Sequence, residues 1–258
     1  MKKSICIEKI FLELPFEERF AAVKEAGFEY LEFCSWVDKD IPAVKRLAEQ
    51  YGLKIAAISG DNNYSMIIPD HRKPFLEYLK RSIDVANTIG CEHLVLHSNA
   101  VDEYGVMADT GEEYSDVTKI AAAALAMQDA AALAEQAGVT LVIEALNIYT
   151  KPGYYMCSTR QTGDLARAVG SERVKILYDT FHMQQMEGNI VATLREYRDV
   201  LGYIHIGDVP ERFEPGTGEI NWDRFKKELR DLQYDGIVGF ELTPQISSGH
   251  CAEILRKF

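Results

Sequence analysis

The chain has 258 residues, 47% hydrophobic and 26% charged, with a formal net charge of −12, which are ordinary proportions for a globular protein large enough to bury one core. The acidic balance argues against sequence-independent nucleic-acid binding, which needs a basic surface, and provides no attraction to an anionic membrane. Five cysteines, Cys6, Cys34, Cys91, Cys157 and Cys251, include no CxxC pair, which reads as reduced, cytosolic usage rather than a disulfide framework.

The N-terminus, Met1-Lys-Lys-Ser-Ile-Cys-Ile-Glu8, turns polar too soon for a secretory signal. No window approaches the roughly 18 apolar residues of a membrane span, so a soluble, cytoplasmic protein is expected. Residues about 4–8 predict a first strand. Leu14-Pro15-Phe16-Glu17-Glu18 then opens a helix, with proline early and acids where the dipole favours them, and Gly27 stops it. Tyr30–Cys34 predicts strand two, 41–51 a helix ending at Gly52, and Lys54–Ser59 strand three. A loop over about 60–71 leads to a helix over about 72–89, ended by Gly90, and His93–His97 predicts strand four. Glu112 to Ala137 reads as a long alanine-rich helix stopped by Gly138, before a fifth strand that ends at Glu144.

Further helices are predicted at about 159–169, 189–200 and 222–233, with a short last one from Cys251 to Phe258. Strand six ends at Asp179, strand seven contains His205, and strand eight ends at Glu241. Glycine or a turn residue follows most helix ends, as a helix C-terminus prefers. Eight strands, each followed by a helical stretch, predict a single (β/α)₈ TIM-barrel domain over residues 1–258. A doubly wound open sheet is the alternative, but no GxGxxG follows the first strand.

Glu144, Asp179, His205 and Glu241 each lie at or near the C-terminal end of an apolar strand run. That is where barrels of this kind carry their chemistry. Strand alternation puts Tyr203, His205 and Gly207 on one face, and pairs Val142 with Glu144 and Gly239 with Glu241 in the same way. Three carboxylates at one barrel mouth repel strongly unless a cation joins them. The oxygen and imidazole set suits one divalent ion, Mn²⁺ or Mg²⁺, with Co²⁺ a further candidate. The bland alternative is that each acid caps the next helix or forms a salt bridge.

His182, on the loop expected to leave strand six, is a candidate donor to a substrate oxygen, or else a helix cap. Arg212 is placed to grip a substrate hydroxyl or carboxylate, or to form a surface ion pair. His97 and Trp36 are candidate pocket-lining residues that could equally be packing groups. Lys151-Pro152-Gly153-Tyr154 can bend a loop over the site. A divalent ion on a carbonyl and an adjacent hydroxyl acidifies the C–H between them. Glu144 and Glu241 on opposite sides of that carbon could remove a proton and return it, as aldose–ketose isomerisation or epimerisation requires.

At these residues the chain resembles the xylose-isomerase-like TIM-barrel superfamily of sugar isomerases and epimerases, and most closely the hydroxypyruvate isomerase family. The similarity runs through Pro15-Phe16-Glu17-Glu18-Arg19-Phe20, Glu144-Ala-Leu, Lys151-Pro152 with Tyr154, Asp179-Thr-Phe-His182, Glu187-Gly-Asn189, Pro210-Glu-Arg212 and Gly218-Glu-Ile-Asn221. It implies that Glu144, Asp179, His205 and Glu241 are metal ligands, Glu144 and Glu241 the acid/base pair, and His182 and Arg212 substrate-binding. Two departures stand out. Hydroxypyruvate isomerases often carry glutamine where this chain has His205, which is similar to the tagatose/psicose 3-epimerase branch. Those epimerases carry a glutamate shortly after the strand-five ligand, where this chain has Tyr149-Thr150.

The expected partner is a small carbohydrate or hydroxy-ketoacid, with no nucleic acid and no membrane, and a homo-oligomer (dimer or tetramer) is the expected assembly. A lyase or dehydratase sharing the same proton abstraction is the alternative activity. A metal-dependent abasic-site endonuclease would need more histidines and a basic face, and a non-catalytic binding barrel would not need two opposed glutamates.

Overall fold

Nine parallel strands run side by side around a barrel in the computed structural model, which describes residues 1–101, 107 and 109–258. They are β1 (Lys2–Cys6), β2 (Tyr30–Glu32), β3 (Lys54–Ile55), β4 (Ala57–Ser59), β5 (His93–His97), β6 (Thr140–Glu144), β7 (Val174–Asp179), β8 (Leu201–Ile206) and β9 (Ile237–Phe240). The sheet order is β3-β2-β1-β9-β8-β7-β6-β5-β4. The expected third strand is therefore divided at Ala56. Ala56 N still donates to Leu31 O (2.7 Å), Ser59 N to Cys34 O (2.9 Å) and Gly60 N to Val95 O (2.8 Å). The two halves thus remain one extended run, bonded to β2 on one edge and reaching β5 on the other, and the ring closes as a TIM barrel.

The helices are α1 (Glu18–Glu25), α2 (Ile41–Tyr51), α3 (Arg72–Ile89), α4 (Asp116–Ala137), α5 (Thr159–Val169), α6 (Thr180–Met186), α7 (Ile190–Glu196), α8 (Trp222–Asp231) and α9 (Ser248–Lys257). Their ends obey local chemistry. Asp40, Ser115, Ser158, Asn221 and Ser247 cap N-termini through side-chain oxygens, and Gly52, Gly90, Gly138 and Gly170 close C-termini in the left-handed conformation.

Several bounds differ from expectation for the same reasons. α1 begins only at Glu18, because Leu14–Glu17 form turns ahead of it. α4 begins at Asp116 rather than Glu112, where Ser115 Oγ accepts from Thr118 N. α9 begins at Ser248, capped by Ser247. The expected helix over 189–200 is α7 alone, and α6, not anticipated, precedes it. Gly188 and Asn189, at φ 57° and 48°, break the chain between them.

α4 also corrects the expectation about apolar windows. Its 22 residues reach a mean hydropathy of 1.3 over their most apolar stretch, enough by length and composition to cross a membrane. In the fold it is an outer barrel helix. Ala123, Ala126, Met127, Ala130, Ala131 and Ala134 are buried in the main core, and small side chains there let the helix sit close to its neighbours.

Alternation along each strand divides the apolar residues into two layers. Ile5, Leu31, Leu94, Ile143, Ile204 and Val238 face the helices. Ala57, Val95, Val142, Leu177, Tyr203 and Ile237 fill the barrel interior. That inner plug is the dry floor beneath the C-terminal mouth, and on a low-dielectric floor the charges above it interact more strongly than they would in water.

Candidate metal and active site

Glu144 and Asp179 are the last residues of β6 and β7, His205 is next to last in β8, and Glu241 directly follows β9. Strand pairing sets Asp179 beside His205 and His97 beside Glu144. Ring closure then brings one donor atom from each of Glu144, Asp179, His205 and Glu241 within 4.8 Å of the others. His205 Nδ1 is 3.1 Å from Glu241 Oε2, 3.7 Å from Glu144 Oε1 and 4.0 Å from Asp179 Oδ2. Among the described residues, Glu144 Oε1 and both His205 ring nitrogens are buried with no partner in hydrogen-bonding geometry, although carboxylate oxygens stand 3.1 Å from each ring nitrogen. Unsatisfied buried polar atoms are costly. A divalent cation would satisfy them, and three carboxylates with one imidazole make a hard donor set that fits Mn²⁺, Mg²⁺ or Co²⁺.

Glu32 is absent from the expected set, although it ends β2 just as Glu144 ends β6. Its Oε1 lies 3.1 Å from His205 Nε2, and Tyr203 donates its hydroxyl to the other oxygen. Glu32 thereby engages one ring nitrogen and leaves Nδ1 facing the carboxylates, the usual partnership behind a ligand histidine. Space for it exists because residue 239 is glycine: a Cβ there would stand 2.6 Å from both Glu32 oxygens. Gly239→Ala should therefore cost about 1–3 kcal/mol of stability and weaken Mn²⁺ binding about tenfold or more. Thermal melts and Mn²⁺ titration measure both, and unchanged metal affinity would remove Glu32 from this role.

Asp179 combines the two readings considered for it. Oδ1 accepts from Phe181 N (2.7 Å) and His182 N (3.2 Å), capping α6, while Oδ2 faces the cluster. Arg212, held at φ 61° in the loop after β8, reaches the same oxygen. Its Nη2 donates to Asp179 Oδ2 and Glu241 Oε2, each at 2.7 Å, and its Nε to Glu241 O at 2.9 Å. The guanidinium thus lies against the cluster, over the Phe181 ring at 5.0 Å.

His182 lies inside α6 rather than on a loop, and is buried. Asn147 N donates to its Nδ1 at 3.0 Å, with Asn147 Nδ2 at 2.7 Å from the same atom. Thr150 N and Oγ1 in turn donate to Asn147 Oδ1. Nδ1 is therefore the acceptor, and Nε2 carries the hydrogen on the side of Asp179 Oδ2, 3.9 Å away. Burial and the nearby Arg212 charge lower the His182 pKa to about 3. Nitrogen-15 NMR should find a neutral ring protonated at Nε2 from about pH 5 to 8; titration near the free value of about 6.5 would refute this. Asn147 carries no local sign of its role, which arises only where its loop meets α6.

His97 bridges Asp61 (Nδ1 to Oδ1, 3.0 Å) and Glu144 (Nε2 to Oε2, 3.4 Å). Burial alone would favour its neutral form, but Asp61 and Glu144 outweigh that and hold it well above the ordinary histidine range. Burial likewise opposes ionisation of Glu144 and Glu241. His205 and His97 nevertheless pull Glu144 below the usual carboxylate range, and Arg212 and His205 do so for Glu241. Burial pushes the Asp179 carboxyl up to about 7 against the pull of Arg212.

Tyr154, in the loop expected to bend over the site, donates its hydroxyl to Glu144 O (2.9 Å) and accepts from Ser98 N, tying that loop to the end of β6. A small cavity of about 60 Å³ is lined by Glu32, His97, Glu144, His205 and Glu241. A larger one, about 380 Å³, is lined by Lys9, Arg19, Trp36, Asp61 and Tyr78 among others; Cys34 and Ser59 line both. Trp36 is part of the larger wall, with its indole N–H tied to Ser82 Oγ at 3.1 Å.

Known proteins share this architecture. The hydroxypyruvate isomerase of Escherichia coli (strain K12) is 28% identical over 255 residues, covering 96% of this chain and 95% of that protein. The 2-oxo-tetronate isomerase of Haemophilus influenzae is 28% identical over 243 residues, covering 92% and 91%. A crystal structure of a family 2 AP endonuclease from Brucella melitensis superposes with a TM-score of 0.91 over 100% of this chain and 98% of that one, at 22% identity, where the likeness concerns the fold alone. The model of the xylose isomerase-like TIM barrel family matches residues 20–257. The chain belongs to that family, and within it groups with the hydroxypyruvate isomerases.

Proposed function

We propose that the protein is a metal-dependent isomerase or epimerase of a small hydroxy-ketoacid or keto-sugar. The observation that carries this reading is the convergence of Glu144, Asp179, His205 and Glu241 within 4.8 Å, with buried donor atoms that lack partners in hydrogen-bonding geometry among the described residues. The names of the isomerase relatives support the same reaction class. A bound divalent ion would supply positive charge to the substrate's carbonyl and hydroxyl oxygens and so acidify the C–H between them.

The chain's own groups then divide the work. Glu144 comes from β6 and Glu241 from the end of β9, with β7 and β8 between them. One carboxylate takes the proton, and the C–H electron pair becomes the C=C bond of an enediolate. A proton returned to the neighbouring carbon, with the adjacent hydroxyl's proton passing to the former carbonyl oxygen so that the carbonyl changes places, completes isomerisation; one returned to the other face of the same carbon, with the carbonyl restored, completes epimerisation. His182, its hydrogen held on Nε2, donates to a substrate oxygen.

Incubation with Mn²⁺ in D₂O and a panel of hydroxypyruvate and keto-sugars tests the reading. Solvent deuterium should enter the substrate carbon, and a product of equal mass should revert to substrate. Loss of water or of a larger fragment would establish the lyase instead, and absence of exchange across the panel would sink the proposal.

A further inference from the structure

Two thiols stand at the barrel mouth that the proton-transfer scheme does not use. Strand pairing brings them there. β1 pairs with β9 from Lys2↔Ile237 to Ile5↔Phe240, so the next step of that register sets Cys6 beside Glu241. On its other edge Cys6 pairs with Glu32, and Cys34 lies two residues further along, on the same inward face. Both backbones are held. Ile7 N donates to Glu32 O (2.9 Å), and Cys34 N donates to Glu8 Oε2 (2.6 Å), a carboxylate braced in turn by Lys39 (2.8 Å). One oxygen of Glu241 and the sulfurs of Cys6 and Cys34 thereby lie within 4.8 Å of one another. Both cysteines are free thiols; Cys6 is buried, while Cys34 is half-buried and lines both cavities.

A tetrahedral thiophilic ion holds sulfur at about 2.3 Å and carboxylate oxygen at about 2.0–2.2 Å, which spaces its donors about 3.6–3.8 Å apart. Donors already within 4.8 Å reach that spacing by shifts of about 1 Å. Two thiolates and one carboxylate suit a Zn²⁺-like ion, whereas Mn²⁺ and Mg²⁺ prefer the oxygen-rich cluster next to them. Three protein donors leave a fourth position for water, as in an open zinc site. Glu241 belongs to both clusters. As ligand and base it needs one oxygen for the hard ion and one for the proton. A second cation on that carboxylate occupies the electron pair that the proton would take.

We propose that Cys6, Cys34 and Glu241 form a second metal site, for a thiophilic divalent cation of the Zn²⁺ class, whose occupancy blocks proton transfer by Glu241. Each thiol gives its proton to solvent as its sulfur binds the ion. The inhibition rests on the isomerase reading; the binding does not.

Titration of the reduced, Mn²⁺-loaded protein with Cd²⁺, followed by thiolate-to-cadmium absorption in the ultraviolet, reads binding without turnover. A saturable band should appear, and Mg²⁺ should produce none. Cys34→Ser and Cys6→Ser should each raise the Cd²⁺ concentration at half-saturation about tenfold or more, since even an outer partner of a metal is worth about that. Cys157→Ser, at a sulfur outside the cluster, should leave the band as in the wild type. Cys34 is half-buried, so its serine variant tests the site even if Cys6→Ser fails to fold. Zn²⁺ should inhibit Mn²⁺-dependent deuterium exchange, and Cys34→Ser should raise the half-inhibiting concentration by a similar factor, each protein being compared with its own uninhibited rate. Absence of the band, or a band lost in Cys157→Ser and retained in Cys34→Ser, overturns the proposal. Inhibition equal in the wild type and Cys34→Ser assigns it to displacement of Mn²⁺ from the hard cluster and overturns the proposal too. A band dependent on Cys34 in a protein that exchanges no deuterium supports the thiophilic site while removing the isomerase reading.

Discussion

Glu144→Gln and Glu241→Gln should each reduce deuterium exchange and turnover by about 10²–10⁴-fold, the usual contribution of a positioned acid or base. Glutamine keeps the length and shape of the side chain and can still offer one oxygen to a cation, but it cannot accept a proton. The two variants should differ in a second respect. Glu144 faces His97 and His205, whereas Glu241 faces His205 and Arg212. Loss of Glu241 therefore also releases one of the two carboxylates that hold Arg212. Circular dichroism and thermal melts establish that each variant remains folded, and exchange in D₂O reports the chemistry. A variant with near-normal exchange would reduce its glutamate to a ligand and send the search for a base elsewhere.

Removing the metal should lower the melting temperature, and the loss should grow with pH. Free ion at about a hundred times its dissociation constant contributes about 2.7 kcal/mol, which is about 5–10 °C for a domain of this size. The pH dependence follows from His205. Burial disfavours its charged form, but Glu32, Glu144 and Glu241 outweigh that and hold its pKa well above the ordinary value in the metal-free protein. A raised folded-state pKa stabilises the metal-free protein fully below about pH 6.5, and that contribution disappears as pH rises through the folded value. A ligand imidazole must be neutral, so metal binding expels this proton and tightens as pH increases.

The melting-temperature gain on adding Mn²⁺ should thus be larger near pH 8 than near pH 6. Titrations in two buffers of different ionisation enthalpy should count about one released proton near neutrality. A gain independent of pH, with no proton released, would exclude His205 as a ligand. No gain at any pH would exclude the cluster as a metal site.

The order of strands and helices was legible because its signals are local. Glycine closes helices at Gly52, Gly90, Gly138 and Gly170 by adopting a backbone that other residues avoid. Alternation within one strand is enough to turn His205 inward and Ile204 outward. The same local rule marks Glu144, Asp179 and Glu241 at strand ends, and would have marked Glu32. It failed where two local signals compete, as at Asp179, whose capping oxygen starts a helix, α6, where a loop was expected.

By itself, then, the amino-acid order determined a parallel barrel and the inward acids at its mouth, because period and termini are properties of neighbouring residues. Only the tertiary structure decided how those acids are used. Glu32 meets His205 because β2 and β8 face each other across the barrel. Asn147 sets the His182 tautomer because the loop after β6 packs on α6. Arg212 is directed to Asp179 and Glu241. These contacts join residues far apart in the chain, and their distances depend on strand register and ring closure, which no local pattern encodes.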